Sequence, residues 1–201
     1  MKYKLVIFDF DGTLANSFPW FVQMVNSVAA KYHFKQVADD EIDGLRSLSA
    51  VQLVRHLGIP LWKMPMIANH VRQRMSQDRE GIARFEGVDQ MLSQLHQGGA
   101  TLALVTSNSY ANVLHVLGQT NLDLMTYIEC DVSMFGKRAR YRKVLKQSGL
   151  RPHEAISIGD EIRDIEASNQ EQIPFGAGTW GYTHMDALKA RAEAHRSHVP
   201  K

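Results

Sequence analysis

The chain has one cysteine, Cys130, in 201 residues, which excludes an internal disulfide and the stapled scaffolds of small secreted domains. Long apolar runs are also missing. The run that opens the chain is broken at Asp9, too early for a signal peptide or a spanning helix. Neither sign of charge prevails: 23 basic and 21 acidic residues are interspersed and sum to +2, so there is no electrostatic footprint for nucleic acid or an anionic membrane surface. There is no low-complexity segment and no internal repeat. The nine histidines are scattered without HExxH spacing, which argues against a histidine metal centre and leaves most of them as surface residues. The remaining composition, 44% hydrophobic and 22% charged, is that of an ordinary globular chain. Its length suits one compact domain carrying an insertion, expected in a reducing cytoplasm.

Residues 4–8 form a short apolar run rich in Val, Ile and Phe that ends in two aspartates and a Gly-Thr turn, which reads as a buried strand feeding a loop. The same pattern returns at residues 101–105, 127–130, 155–158 and 173–177. Helical patterns fall at 88–97, 110–117, 140–147, 162–169 and 185–194, with Gly98 and Gly149 as stops. That alternation predicts an α/β fold, a Rossmann-like parallel sheet sandwiched by helices. Residues 17–82 break it, because they carry only helix-period patterns, at 20–32, 51–57 and 62–75. They are expected to form a small α-helical insertion after the first strand, with residues 1–16 and 83–201 as the core. The hinges are expected near 15–17 and 81–87, and the tail after Ala194 is expected to fray.

Asp9 and Asp11 lie two apart at the carboxyl end of the first strand, so period-two geometry can point both into one pocket while Phe10 faces away. Ligands of open parallel sheets bind beyond the carboxyl ends of the strands. The other predicted strand ends there are polar. The second runs into Thr106, Ser107 and Asn108, the fourth into Asp160 with Asp164 one helical turn on, and Lys137 lies between the third and fourth. Converging carboxylates repel unless a cation sits among them, and hard oxygen ligands suit Mg²⁺. A threonine hydroxyl, a lysine and backbone amides beside them suit the oxygens of a phosphoryl group. In such a pocket Asp9 is the candidate nucleophile. Asp11, its pKa raised by neighbouring charge, is the candidate acid and base.

The four segments DFDGTLANS, LALVTSNS, FGK and IGDEIRDIEAS, in that order, resemble the motifs of the haloacid dehalogenase-like hydrolase superfamily, and most closely its phosphoglycolate phosphatase-like branch with a helical cap. The resemblance covers nearly the whole chain. It implies a Mg²⁺-dependent phosphatase with Asp9 as nucleophile, Asp11 as general acid and base, and Thr106 and Lys137 as phosphate binders. It also implies Asp9, Asp160 and the backbone carbonyl of Asp11 as metal ligands, with Asp164 behind them. Asp11 favours phosphate over halide chemistry, since the dehalogenases lack an acid at that place. The lysine position carries no following proline, unlike the family pattern, and Lys143 and Lys146 follow closely; FGK favours Lys137. The implied partner is a small phosphorylated metabolite, with no nucleic acid or membrane, and the chain is expected as a monomer or homodimer.

Each residue also has a plainer role. Thr106 reads as a cap for the following helix and Asp164 as a complement to a helix dipole. Phe21, Met24, Met64 and Met66 read as internal packing, and Cys130 needs no redox role. Within the insertion, Arg46, Trp62 and Lys63 are the side chains that a closing cap would offer to substrate. A phosphoryl mutase would use the same residues. A receiver-like signalling module also gathers aspartates, a hydroxyl and a lysine, but its phosphorylated aspartate ends the third strand, and a catalytically idle relative would not keep every motif residue.

Overall fold

Leu5–Phe8 buries all four side chains, as a strand covered on both faces by helices must, and it forms the centre of the sheet as β1. The computed structural model describes residues 2–78 and 81–196. Strands β2 (Thr101–Val105), β3 (Met125–Glu129), β4 (Ala155–Gly159) and β5 (Phe175–Ala177) complete a five-stranded, wholly parallel sheet in the order β3-β2-β1-β4-β5. β3 begins two residues before its expected start and excludes Cys130. β5 loses residues 173–174, where Pro174 has no N–H for a ladder and gives only its carbonyl, to Ser157 N.

The two faces of the sheet bury alternate side chains. Val6, Phe8, Leu102 and Leu104 join a large apolar cluster that includes Val88 and Leu92 of α5 (Val88–Gln97) and Val113 and Leu117 of the helix after β2. Leu5, Ile7, Ala103 and Val105 join a smaller cluster with Tyr141, Val144 and Leu145 of α7 (Lys137–Ser148). α8 (Ile162–Gln170) adds Ala167 to this face, and its own Ile165 packs on Leu188 of α9 (Met185–Arg196). The helix after β2, α6 (Tyr110–Leu122), runs past its expected end at Leu117, but Gly118 breaks it with φ 76°, a left-handed value that glycine adopts without strain. Arg84 Nη1 caps the interrupted turn at the carbonyls of Val116 and Leu117. The expected tail beyond α9 lies, from residue 197 on, outside the described residues.

The segment after β1 carries helices joined by turns and loops, and no strand among its described residues: α1 (Phe18–Tyr32), α2 (Ile42–Leu45), α3 (Ala50–His56), a 3-10 turn at Leu61–Lys63, and α4 (Met64–Gln77). The four-residue α2 has no counterpart in the sequence reading, being too short to carry a period. Val25, Val37 and Leu57 form a small core of this segment's own. Trp20, Met24, Ile67 and Met75 are continuous with the main cluster beneath β1. Met66, expected inside, is instead half exposed on α4. The chain leaves and re-enters the sheet layer side by side. Asn16 N donates to Ala83 O, Phe85 N donates to Leu14 O, and Ala15 bridges Arg84.

Candidate active site

Asp9 follows Leu5 and Ile7 in the period of two, so it emerges on the sheet face that α7 covers. There the first residue of α7 meets it: Lys137 Nζ is 2.9 Å from Asp9 Oδ2 and also pairs with Asp164 Oδ1. All three side chains are at most 4% exposed. Burial opposes the lysine's charge, but the carboxylates of Asp164 and Asp9 hold its pKa above the usual ammonium range. Lys143 lies on the outer side of α7, paired with Glu129.

Asp160 ends β4, where Thr13 Oγ1 donates to its Oδ1 at 2.7 Å and Tyr182 N to its Oδ2 at 2.7 Å. Asp164 accepts Lys137 on one oxygen and Glu161 N on the other, the latter closing a capping box at the start of α8. Oxygens of Asp9, Asp160 and Asp164 lie within 4.8 Å of one another, all buried. Burial, then the neighbouring acids Glu161 and Asp9, push the Asp160 carboxyl well above its usual range. Neither Asp9 oxygen accepts a directed hydrogen bond, although both are buried. Buried carboxylates with open lone pairs fit a small hard cation such as Mg²⁺.

A turn rather than the strand pleat sets the place of Asp11. The strand ends at Phe8, and Phe10 O gathers the amides of Thr13, Leu14 and Ala15 in a tight turn. Asp11 lines the cavity beneath the helical segment and stays close enough to Asp9 to feel its charge. Asn108 Nδ2 donates to its Oδ2 at 3.0 Å. The Asn108 carbonyl accepts from Ser109 N and Asn112 Nδ2, which turns the amide NH₂ to Asp11. Burial, then the charge of Asp9, push the Asp11 carboxyl up to about 6. Thr106 is fully buried at the end of β2, where its Oγ1 accepts from Asn108 N, and it does not cap α6; Ser109 does, accepting from Asn112 N.

Gly12 makes the turn possible. Its φ is 73°, and a Cβ there would overlap the Asp160 carboxylate and the Tyr182 ring. Gly12→Ala is expected to lower stability by about 2–4 kcal/mol in a urea titration, from left-handed strain plus overlap with a buried acid. An unchanged unfolding midpoint would show that the turn tolerates a side chain.

A cavity of about 610 Å³ opens from Asp11, Ser107 and Asn108 and runs among α1, α3 and α4. Phe21 and Met64, expected as internal packing, line it. Arg46 lines it too, but Trp62 and Lys63 are not among its described lining residues: Trp62 is 72% exposed and Lys63 donates to Tyr32 O. Sequence reasoning missed Arg72, Arg163 and Tyr182, which also line it. Arg163 sits beside Asp164 in the fourth motif and was legible as a charge there, but nothing local marks Arg72 or Tyr182. Tyr182 reaches the site from 22 residues beyond Asp160, and its hydroxyl shares a hydrogen bond with Ser17. A second hollow, about 560 Å³ around residues 83–90 and Val116, contains none of these acids. No helix among the described residues is long and apolar enough to cross a membrane.

Comparisons with known proteins bear on the family and the fold. The chain is 28% identical over 188 residues to a phosphoglycolate phosphatase of Synechococcus elongatus, covering 93% of this chain and 89% of the relative. It is 22% identical over 198 residues to an N-acetylmuramic acid 6-phosphate phosphatase of Pseudomonas aeruginosa, covering 92% and 86%. A haloacid dehalogenase-like family protein of Streptococcus pneumoniae superposes with a TM-score of 0.74 over 94% of this chain and 91% of that one, at 17% identity. The family model for haloacid dehalogenase-like hydrolases matches residues 6–177, and the chain belongs to that family.

Proposed function

We propose that this hydrolase cleaves phosphomonoesters of small organic alcohols through an aspartyl phosphate on Asp9. The observation that carries the reading is a pair of acids in different surroundings. Asp9 has open, buried oxygens beside the Lys137 ammonium, and Asp11, raised to about 6, faces the cavity where an alcohol would leave. Asp9 attacks phosphorus, the bond from phosphorus to the alcohol oxygen breaks, and Asp11 delivers its proton to that oxygen. Asp11 then takes a proton from the water that attacks the aspartyl phosphate, which releases inorganic phosphate and restores Asp9. Lys137, the Thr106 hydroxyl and the amides of Ser107 and Asn108 hold the phosphoryl oxygens. Asp164 fixes Lys137 rather than touching substrate. Asp9, Asp160 and the Asp11 carbonyl would hold Mg²⁺, which when bound neutralises charge between the acid and the phosphoryl group.

Residues 17–82 serve in this reading as a cap on a core of residues 1–16 and 83–201. The side-by-side crossings at Asn16–Ala83 and Leu14–Phe85 support it, as a narrow double connection about which the helical segment can move. Arg46, donating to the carbonyls of Gly181 and Tyr182, and Arg72, donating to Ser107 O and 3.4 Å from Asp131, hold it closed. The receiver-like alternative needs its aspartate after β3. The aspartate that follows β3, Asp131, is exposed and pairs with Arg72, whereas the buried acids gather at Asp9 with Lys137.

The test is hydrolysis of aryl and alkyl phosphates with Mg²⁺ and with EDTA, by the parent and by Asp11→Asn. The parent should need the metal. The variant should lose about 10²–10⁴-fold on alkyl phosphates, whose alkoxides need a proton, and far less on p-nitrophenyl phosphate. An equal loss on both classes would remove Asp11 as the acid, and activity retained in EDTA would remove the metal.

A further inference from the structure

The relatives' names point to different alcohols, an acid of two carbons and an amino sugar acid, and neither matches the cavity beyond Asp11. Its walls are Phe18, Phe21, Val25, Leu53, Leu57 and Met64. At about 610 Å³ it falls within the ~300–1,000 Å³ of sites that enclose drug-sized ligands, and a two-carbon group would leave most of it to water against hydrocarbon. Its cations already face acids or backbone carbonyls. Arg46 uses Nε and Nη2 on the carbonyls of Tyr182 and Gly181, with Nη1 3.7 Å from Asp43 and its plane over the Phe18 ring. Arg72 holds Ser107 O and Asp131, and Arg163 donates to Glu161 at 2.8 Å. Polar lining residues such as Ser17, Asn108 and Tyr182 gather beside Asp11, so a sugar reaching farther, among Phe21, Val25, Leu53, Leu57 and Met64, would press its hydroxyls against side chains that cannot bond them.

The geometry points to a phosphomonoester whose alcohol is apolar, an aliphatic chain or an aromatic ring seated among α1, α3 and α4. This rests on the phosphatase reading, because the phosphoryl group must lie at Asp9 for the alcohol to enter the cavity. The Asn108 amide and the Asp11 carboxyl provide the polar end, and burial of the remainder supplies binding in proportion to apolar area.

Two measurements on the full chain with Mg²⁺ separate the layers of the claim. Calorimetric titration with n-alkylphosphonates, which carry no cleavable ester, should show Kd falling about two- to fourfold per methylene, and at least about tenfold from ethyl- to hexylphosphonate. Hydrolysis of the matching alkyl phosphates should show kcat/KM rising in the same order, above that for 2-phosphoglycolate. Ala68→Trp, which fills the cavity from α4, should cut the hexyl-to-ethyl affinity ratio about tenfold. Hydrolysis of ethyl phosphate or 2-phosphoglycolate without a gain from chain length overturns the apolar class and leaves the phosphatase standing. A gain in phosphonate affinity with no hydrolysis of any ester overturns the phosphatase reading, and the substrate class with it. A hexyl preference that survives Ala68→Trp at full strength places the chain elsewhere and overturns the cavity assignment.

Discussion

Asp9→Asn is expected to lose at least about a thousandfold in turnover of every phosphomonoester while its unfolding midpoint in metal-free buffer stays level or rises. The two halves have one cause. Asparagine fills the same volume but has no anionic oxygen to attack phosphorus, so the covalent path closes for good and poor leaving groups alike. The fold, however, draws little from this carboxylate. Its oxygens accept no directed hydrogen bond, it lies within 4.8 Å of two other buried acids, and Lys137 keeps Asp164 as partner. Removing one of three crowded negative charges relieves repulsion in the absence of a cation. Paired assays of hydrolysis and of thermal unfolding in EDTA check this. Turnover near the parental rate would sink the nucleophile assignment, and a collapse in stability would show that Asp9 is chiefly structural.

Lys137→Met should fail on both counts. The side chain is 4% exposed between two buried carboxylates, and losing the charge strands them: removing one partner of a buried ion pair costs about 3–5 kcal/mol. The phosphoryl oxygens also lose their cation, and removal of one such electrostatic contact lowers kcat about 10²–10³-fold. Lys137→Arg should not restore activity, because the planar guanidinium is wider than the ammonium and the site behind it is filled by Asp164. Lys143→Ala is the control from the same helix, on a partly exposed side chain paired with Glu129, and should change neither quantity beyond about 0.5 kcal/mol or twofold. Denaturant melts in EDTA with parallel rate measurements decide it. A Lys137→Met protein as stable and as active as the parent would return the phosphate-binding role to another residue.

The sheet and the placement of Asp9 were legible in the sequence because both follow from short periods. Four buried residues in β1 with acids directly after them specify a central strand of a parallel sheet and the edge at which its ligand sits. The odd-numbered parity of Leu5 and Ile7 carries on to Asp9 without reference to the rest of the chain. One step later, at Asp11, Phe10 O collects three amides, so a turn and not the pleat sets where that acid stands. The helical segment was legible as such from its 3.6-residue pattern, but not its outer face: Met66 and Trp62 point to solvent while Phe21 and Met64 face a cavity. Hydrophobicity records that a residue avoids water, not which of two apolar surroundings it enters.

The sequence by itself determined a parallel α/β sheet, a helical insertion after β1, and acids, a threonine and a lysine near the strand ends. Only the tertiary structure decided their partners. Lys137 meets Asp9 because α7 packs on the face that carries Leu5 and Ile7, and Thr106 is freed from capping because Ser109 takes the α6 amides. Arg46 and Tyr182, 136 residues apart, become neighbours because the helical segment folds back over the strand ends. Strand and helix periods are set by backbone geometry over a few residues, whereas contacts across a hundred residues exist only once the layers have packed and fixed the direction of each side chain.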